Sequence, residues 1–364
     1  SAYRGNDMKR HIFFIGTLCN GGAERVVSIL ASHMAKQGKD VEILTYYDRP
    51  VSYELDTRVK LTAVETMTGS SNKIKNVLAI RKYFKKYGKI VISFLAPFNM
   101  MAIAANFESG VPIIVADRND PTKVPSNPVV RKVRDVLYGF ATGVVVQTQK
   151  NKAYFSQKVQ KKSRVIYNPI HLKENAGIAL KTEKEKKIVT AGRLMPQKNQ
   201  KMMIRAFASV HQKHPDYKLV IYGEGPSRQE LEVLISELGM EQSVLLPGNI
   251  SDIHEHLKSA EIFVLSSDYE GMPNALIEAM CLGLASISTK VSGATDLIQD
   301  HENGIVTELD SKTQLEAAMM ELIENKELTK KLATNAAKLN EELEVSKIMQ
   351  QWIQLIQELT QEKR

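Results

Sequence analysis

Two successive series of short apolar runs, each run set apart from the next by a helix-length amphipathic segment, constrain this chain more than any other feature. The first series is His11 to Gly16, Val41 to Tyr46, Ile90 to Phe94, Pro112 to Ala116 and Gly143 to Val146. The second is Lys187 to Ala191, Leu219 to Tyr222, Val244 to Leu246, Ile262 to Leu265 and Leu284 to Ser288. Runs of this length read as strands buried on both faces, and their alternation with helices is the pattern of a parallel sheet with helices packed on it. A polar stretch rich in Lys and Glu, Lys173 to Lys187, divides the series. The fold class expected is therefore α/β, with two doubly wound, Rossmann-like domains over 8–170 and 171–343, which 364 residues accommodate. Residues 344–364 add an amphipathic tail helix that carries the only tryptophan, Trp352.

Composition narrows the function classes. With 43% apolar and 25% charged residues the chain reads as globular, and no apolar run reaches the 18 or so residues of a membrane span. Residues 1–7 precede a natural start at Met8 and are left out of fold reasoning. Cys19 and Cys281 lack disulfide-framework or zinc spacing, so a reducing, cytoplasmic setting is expected. His254 and His256, two apart, point to different faces of a helix; no metal and no cofactor are expected.

In open α/β sheets ligands bind beyond the carboxyl ends of the strands, so the turns that follow strands carry the chemistry. After the first run, Gly16 to Glu24 contains Gly21 and Gly22, which let a ligand approach the backbone at a helix start. The spacing matches neither a dinucleotide fingerprint nor an NTPase phosphate loop. Gly192 to Asn199 puts Arg193 and Lys198 on a short loop before a helix, a cation pair suited to a diphosphate, or else solvated surface charge. Tyr222-Gly223-Glu224-Gly225-Pro226 is a third strand-to-helix turn.

The fourth turn is the most specific. In Ser266 to Met280, Pro273 opens a helix that Gly283 can end, leaving Glu270 on the preceding loop and Glu278 inside the helix. Carboxylates so spaced can accept hydroxyl protons from the two ends of an extended ligand, one sugar at each end. The amides of Gly271 to Asn274 sit between them at a helix N-terminus, where phosphate belongs. The plainer reading makes Glu270 a dipole-favoured charge and Glu278 a solvated helical residue.

Five segments in order, NGGAER at 20–25, GRLMPQKN at 192–199, YGEGP at 222–226, PGNISD at 247–252 and EGMPNALIEAM at 270–280, closely resemble the family 4 retaining glycosyltransferases. The resemblance spans the chain from Met8. It implies a GT-B fold, two Rossmann-like domains facing across a cleft, with the last helix crossing back to the first domain. By the resemblance, Arg193 and Lys198 hold the diphosphate of a nucleotide-sugar donor, and Glu278 takes the ribose. Glu270 orients the hexose, and Asn249 and Ile250 border the base; Gly192 and Gly223, in their strand-to-helix turns, are donor-site candidates because glycine keeps the approach open. Gly21 and Gly22 close on the diphosphate from the first domain. A UDP-sugar is expected as donor, a glycan or polyprenyl-diphosphate-linked oligosaccharide as acceptor, and front-face transfer in which the departing phosphate takes the acceptor proton.

The sequence departs from the family pattern twice. Many members carry His after the strand equivalent to 113–116, where this chain has Asp117-Arg118-Asn119-Asp120-Pro121, and many have Pro where Ala285 stands. Asp117 and Arg118 thus become catalytic candidates, with a structural salt bridge as the alternative.

Charge is unevenly distributed: up to residue 168 there are 27 Lys and Arg against 12 Asp and Glu, and after it 22 against 29. Lys73, Lys75, Arg81, Lys82, Lys85, Lys86 and Lys89 crowd one helix near Phe94, Phe98, Met100 and Met101, and a second cluster runs from Lys150 to Arg164. Peripheral docking on the anionic inner face of the cell membrane is the expectation, with solvated helix faces as the alternative. No nucleic-acid module is present, so nucleic acid is not expected as a partner. The rival functions are a GT-B-fold UDP-sugar epimerase and a non-catalytic sugar-nucleotide-binding subunit.

Overall fold

The computed structural model describes residues 9–19, 21–170, 172 and 183–361. Met8, Asn20 and most of the polar divider, 173–182, lie outside the described residues. The chain forms two compact units, Ser1–Pro169 with Ser346–Arg364, and Ile170–Val345.

The strands of the first unit are β1 (Arg10–Ile15), β2 (Val41–Thr45), β3 (Lys60–Ala63), β4 (Gly88–Phe94), β5 (Ile113–Ala116), β6 (Gly143–Val146) and β7 (Ser163–Val165). They form one parallel sheet in the order β3-β2-β1-β4-β5-β6-β7. The second unit holds β8 (Glu185–Ala191), β9 (Lys218–Tyr222), β10 (Val244–Gly248), β11 (Ala260–Leu265), β12 (Ala285–Thr289) and β13 (Ile305–Thr307), ordered β10-β9-β8-β11-β12-β13 and again parallel. Strand order reverses between β1 and β4 in one sheet and between β8 and β11 in the other. Those reversals open the crevices where such sheets bind ligands. The central strands β1, β4, β11 and β12 are almost wholly buried, which is why they read as continuous apolar runs. The strands missing from the sequence pattern, β3, β7 and β13, are three or four residues long and sit at the sheet edges, where little burial is required.

The tail helix, Val345–Gln361, belongs to the first unit. Trp352 is fully buried and stacks on Phe94 of β4 with ring centroids 5.4 Å apart, and Ile348, Met349, Leu355 and Ile356 are buried beside it. Truncating a Trp so placed costs about 3–5 kcal/mol, enough to release the helix.

One expectation is corrected here. Three of the four residues expected beside the first basic helix turn inward: Phe94 lies under Trp352, while Phe98 and Met101, partly buried, pack against the sheet core. The Phe98 ring also covers Gly16, where a Cβ would fall 2.4 Å from it. The basic helix itself, Lys73–Tyr87, exposes Ile74 and Leu78 instead.

Candidate active site

In the second unit, three of the four turns singled out above are fastened to one another by their backbones. Gly192 N–H donates to the Tyr222 carbonyl (2.9 Å), Leu194 N–H to the Glu224 carbonyl (3.0 Å), and Gly223 N–H to the Gly248 carbonyl (2.9 Å). The approach is so close that only glycine fits at 223: its φ is +136°, and a Cβ there would meet the Gly192 carbonyl oxygen at 1.9 Å. The loop before the acidic helix joins the same assembly. Asp268 N–H donates to the Gln197 carbonyl (2.9 Å), Gln197 Nε2 to the Tyr269 carbonyl (2.7 Å), and the Ser266 hydroxyl to the Lys198 carbonyl (2.8 Å).

This bracing brings together a cavity of about 610 Å³, lined by Gly192, Arg193, Tyr222, Gly223, Glu224, Asn249, Ile250 and Ile253. The volume is that of a nucleotide-sized ligand. Arg193 is exposed on its lip. Lys198 runs past its floor, with Cε 3.8 Å from where a Cβ of Gly192 would be, and its ammonium donates to Glu270 Oε1 at 2.5 Å. Glu270 is buried, and the same oxygen accepts from the Ser267 hydroxyl at 2.6 Å. Two donors on Oε1 fix the carboxylate and leave Oε2 to accept from a ligand hydroxyl.

Glu278 lies in the helix Asn274–Cys281 and is half-buried, with Oε2 3.0 Å from His254 Nε2. His254 directly follows the cavity residue Ile253 and pairs with Glu278, while Glu270 pairs with Lys198. The two carboxylates thus have different partners, Lys198 and Ser267 for Glu270 and His254 for Glu278. The expected amide cradle is reduced: Pro273 has no N–H and Asn274 N–H donates to the Met272 carbonyl at 2.9 Å, leaving the amides of Gly271 and Met272. Met272 and Pro273 are buried against Gly293, whose positive φ of 83° brings its backbone under them.

In the first unit, Gly21 caps the helix Gly22–Lys36 and is held by Tyr53, whose hydroxyl accepts from Gly21 N–H (2.9 Å) and donates to the Gly21 carbonyl (2.7 Å). Gly22 faces open space. Asp117 is buried, 3.5 Å from the buried Arg134 guanidinium, and accepts from Tyr138 Oη at 2.9 Å. Burial pushes its carboxyl pKa up, Arg134 and the Tyr138 hydrogen bond opposing. This arrangement matches the alternative reading, a structural salt bridge, formed with Arg134. Arg118 donates to the Asn168 side chain, its Nε is buried without a partner, and burial lowers its pKa to about 10.

The first half of the chain, residues 20–174, matches the model of Glycosyltransferase Family 4, and residues 173–339 match that of Glycosyl transferases group 1. Two curated proteins of Campylobacter jejuni are each 31% identical to it. One is the GalNAc-alpha-(1->4)-GalNAc-alpha-(1->3)-diNAcBac-PP-undecaprenol alpha-1,4-N-acetyl-D-galactosaminyltransferase, aligned over 97% of this chain and 99% of its own length. The other is the N-acetylgalactosamine-N,N'-diacetylbacillosaminyl-diphospho-undecaprenol 4-alpha-N-acetylgalactosaminyltransferase, over 89% and 92%. The chain belongs to glycosyltransferase family 4. Among solved structures it is similar to Anabaena Alr3699/HepE in complex with UDP, with TM-score 0.80 at 20% identity over 96% of this chain and 100% of that one. This family 4 enzyme therefore has the GT-B fold, and the relatives named here are transferases, not epimerases.

Other residues the structure brings to these turns were less visible in the sequence. Ser267 was within sight, three residues before Glu270 on the same turn. Tyr222 and Glu224 lie in the turn already singled out, Ile253 follows from the cavity alone, and His254 and Tyr53 carry no local signal, since each bonds a residue more than twenty positions away.

Proposed function

We propose that this enzyme transfers a hexose from a UDP-sugar, with retention and without a metal ion, to a glycan carried on a polyprenyl diphosphate. The observation that carries the reading is the 610 Å³ cavity with Arg193 on its lip and, against its lining residue Gly192, the side chain of Lys198, which pairs with Glu270. The nucleoside occupies the cavity with its base by Asn249 and Ile250 and its ribose on Glu278. Arg193 and Lys198 neutralise the diphosphate and stabilise it as it departs, supplying charge that a divalent cation would otherwise bring. Glu270 accepts from a hexose hydroxyl and sets the sugar's orientation. The leaving phosphate takes the acceptor proton on the face it vacates, so no enzyme base is required. Lipid-linked acceptors of the two Campylobacter relatives support the acceptor class, and such an acceptor places the enzyme peripherally on the cytoplasmic membrane face.

A thermal-shift and hydrolysis panel of UDP-, GDP- and ADP-sugars tests this. A ligand at 100 times its dissociation constant stabilises the fold by about 2.7 kcal/mol, so UDP and one UDP-sugar are expected to raise the midpoint. Turnover is expected to persist in EDTA, with an α-linked product from an α-linked donor. No shift with any nucleotide sugar overturns the reading.

A further inference from the structure

The helix Pro128–Tyr138 of the first unit is turned inside out relative to an ordinary surface helix. A surface helix buries its apolar stripe and shows polar residues to water. Here the buried positions are Arg134 and Tyr138, and the outward stripe is Val129, Val133 and Val136, which are 68%, 46% and 66% exposed. These positions are spaced i, i+4, i+7 and fall on one face. Phe140, 58% exposed, continues the stripe past the helix end, and Phe107, 54% exposed, meets it edge-on with centroids 6.5 Å apart.

The rim of this ridge is basic. Lys132 is exposed on the helix, Lys158 Nζ lies 5.3 Å over the Phe140 ring, and Lys162 Nζ holds the Gly139 and Ala141 carbonyls at the ridge's end. The helix has one carboxylate, Asp135, and it is already engaged by Arg134 at 2.7 Å and the Tyr154 hydroxyl at 2.9 Å. A protruding apolar stripe bordered by cations, with its single acid neutralised, is complementary to an anionic lipid interface: side chains enter the acyl boundary while the lysines meet headgroup phosphates. We infer that Val129, Val133, Val136, Phe107 and Phe140 form the surface by which this protein docks on anionic membrane. The inference rests on the acceptor reading above and locates it away from the lysine-rich helix Lys73–Tyr87.

The full-length protein, the Val133→Asp/Val136→Asp variant and the Lys132→Glu/Lys158→Glu variant are to be sedimented with phosphatidylglycerol vesicles and with phosphatidylcholine vesicles at low and high salt. The wild type is expected to bind the anionic vesicles at least tenfold better than the neutral ones. Each variant is expected to lose about tenfold, the lysine variant losing the salt dependence as well. Both substituted pairs are exposed, and an unchanged UDP-induced thermal shift checks that the second unit is intact. Wild-type binding by the valine variant overturns the inference, as does a wild-type dimer that the valine variant dissociates while vesicle binding is unaffected, which would make the ridge a protein interface. Failure of UDP to shift the wild type is a separate result and bears on the proposed function alone.

Discussion

The turns that follow the first strand of each sheet hold equivalent places in equivalent topologies, yet they are built differently. After β8, Gly192–Asn199 is tied to the next turn and to the acidic loop by backbone and side-chain bonds, and its Lys198 is aimed at Glu270. After β1, the turn is likewise tied to the next one, with Tyr47 N–H donating to the Gly16 carbonyl (2.9 Å), Ser52 N–H to the Leu18 carbonyl (3.0 Å) and the Tyr53 hydroxyl holding Gly21, but it aims no such charge pair, and Asp117, just past β5, is buried against Arg134. The same parallel sheet can thus present its charges to a ligand or use them to hold its own core. The second unit adds a third turn, the one that carries Glu270, to its bracing, as suits a group that must already be in position to stabilise a leaving charge.

The largest effects should separate these choices. Lys198→Ala is expected to lower kcat by about 10²–10³, the range for loss of one preorganised charge-stabilising group, with a smaller loss of stability than Asp117→Ala because Lys198 is partly exposed and Ser267 still bonds Glu270. Glu270→Gln keeps the shape and the Ser267 contact but weakens the pairing with Lys198, and is expected to reduce kcat more than it weakens donor binding, as steady-state kinetics would read. In the other unit, Asp117→Ala removes one partner of a buried pair. It should cost about 3 kcal/mol in denaturant unfolding while leaving kcat per folded molecule near wild type. An Asp117 variant that folds normally and does not turn over would erase the distinction drawn here.

A smaller effect distinguishes Glu278 from Glu270 within the second unit. Glu278→Gln and His254→Ala are expected to weaken UDP binding about tenfold, roughly 1.4 kcal/mol, in titration calorimetry, with kcat at saturating donor little altered. Equal losses in kcat would place Glu278 at the reacting centre with Glu270.

The sequence was most legible where burial is extreme. The central strands could be read because parallel strands covered on both faces must be continuously apolar, and the edge strands β3, β7 and β13 could not, because Lys60 and Leu61 face water and the others are three residues long. Local geometry carried the second-unit turns in the same way: Gly223 is a glycine because a carbonyl occupies the space of its Cβ. What could not be read were pairings made by folding. Nothing near Asp117 announces Arg134, seventeen residues on, and nothing near Glu278 announces His254. The valines at 129, 133 and 136 have helical spacing, but spacing alone would have assigned that stripe to the core.

Histidines give the comparison its subtlest test. His11 in β1 is buried and its pKa is lowered, chiefly by burial, with a hydrogen bond to the Asp40 carbonyl opposing. The unfolded chain then binds more protons than the folded one as pH falls below the ordinary value of about 6.5, so the first unit loses stability on the acid side. His301 in the second unit is paired with Asp300 and Glu321, whose hydrogen bonds raise its pKa. Its contribution is fully present below about 6.5 and is lost as pH rises through the raised folded value, and its exposure keeps the effect small. Melting curves of His11→Gln and His301→Gln from pH 5 to 8 should therefore deviate from wild type in opposite directions. The first substitution should lessen the loss of stability toward acid, and the second should lessen the loss toward alkali. Parallel curves would mean that the two units do not differ in how they hold buried and exposed charge.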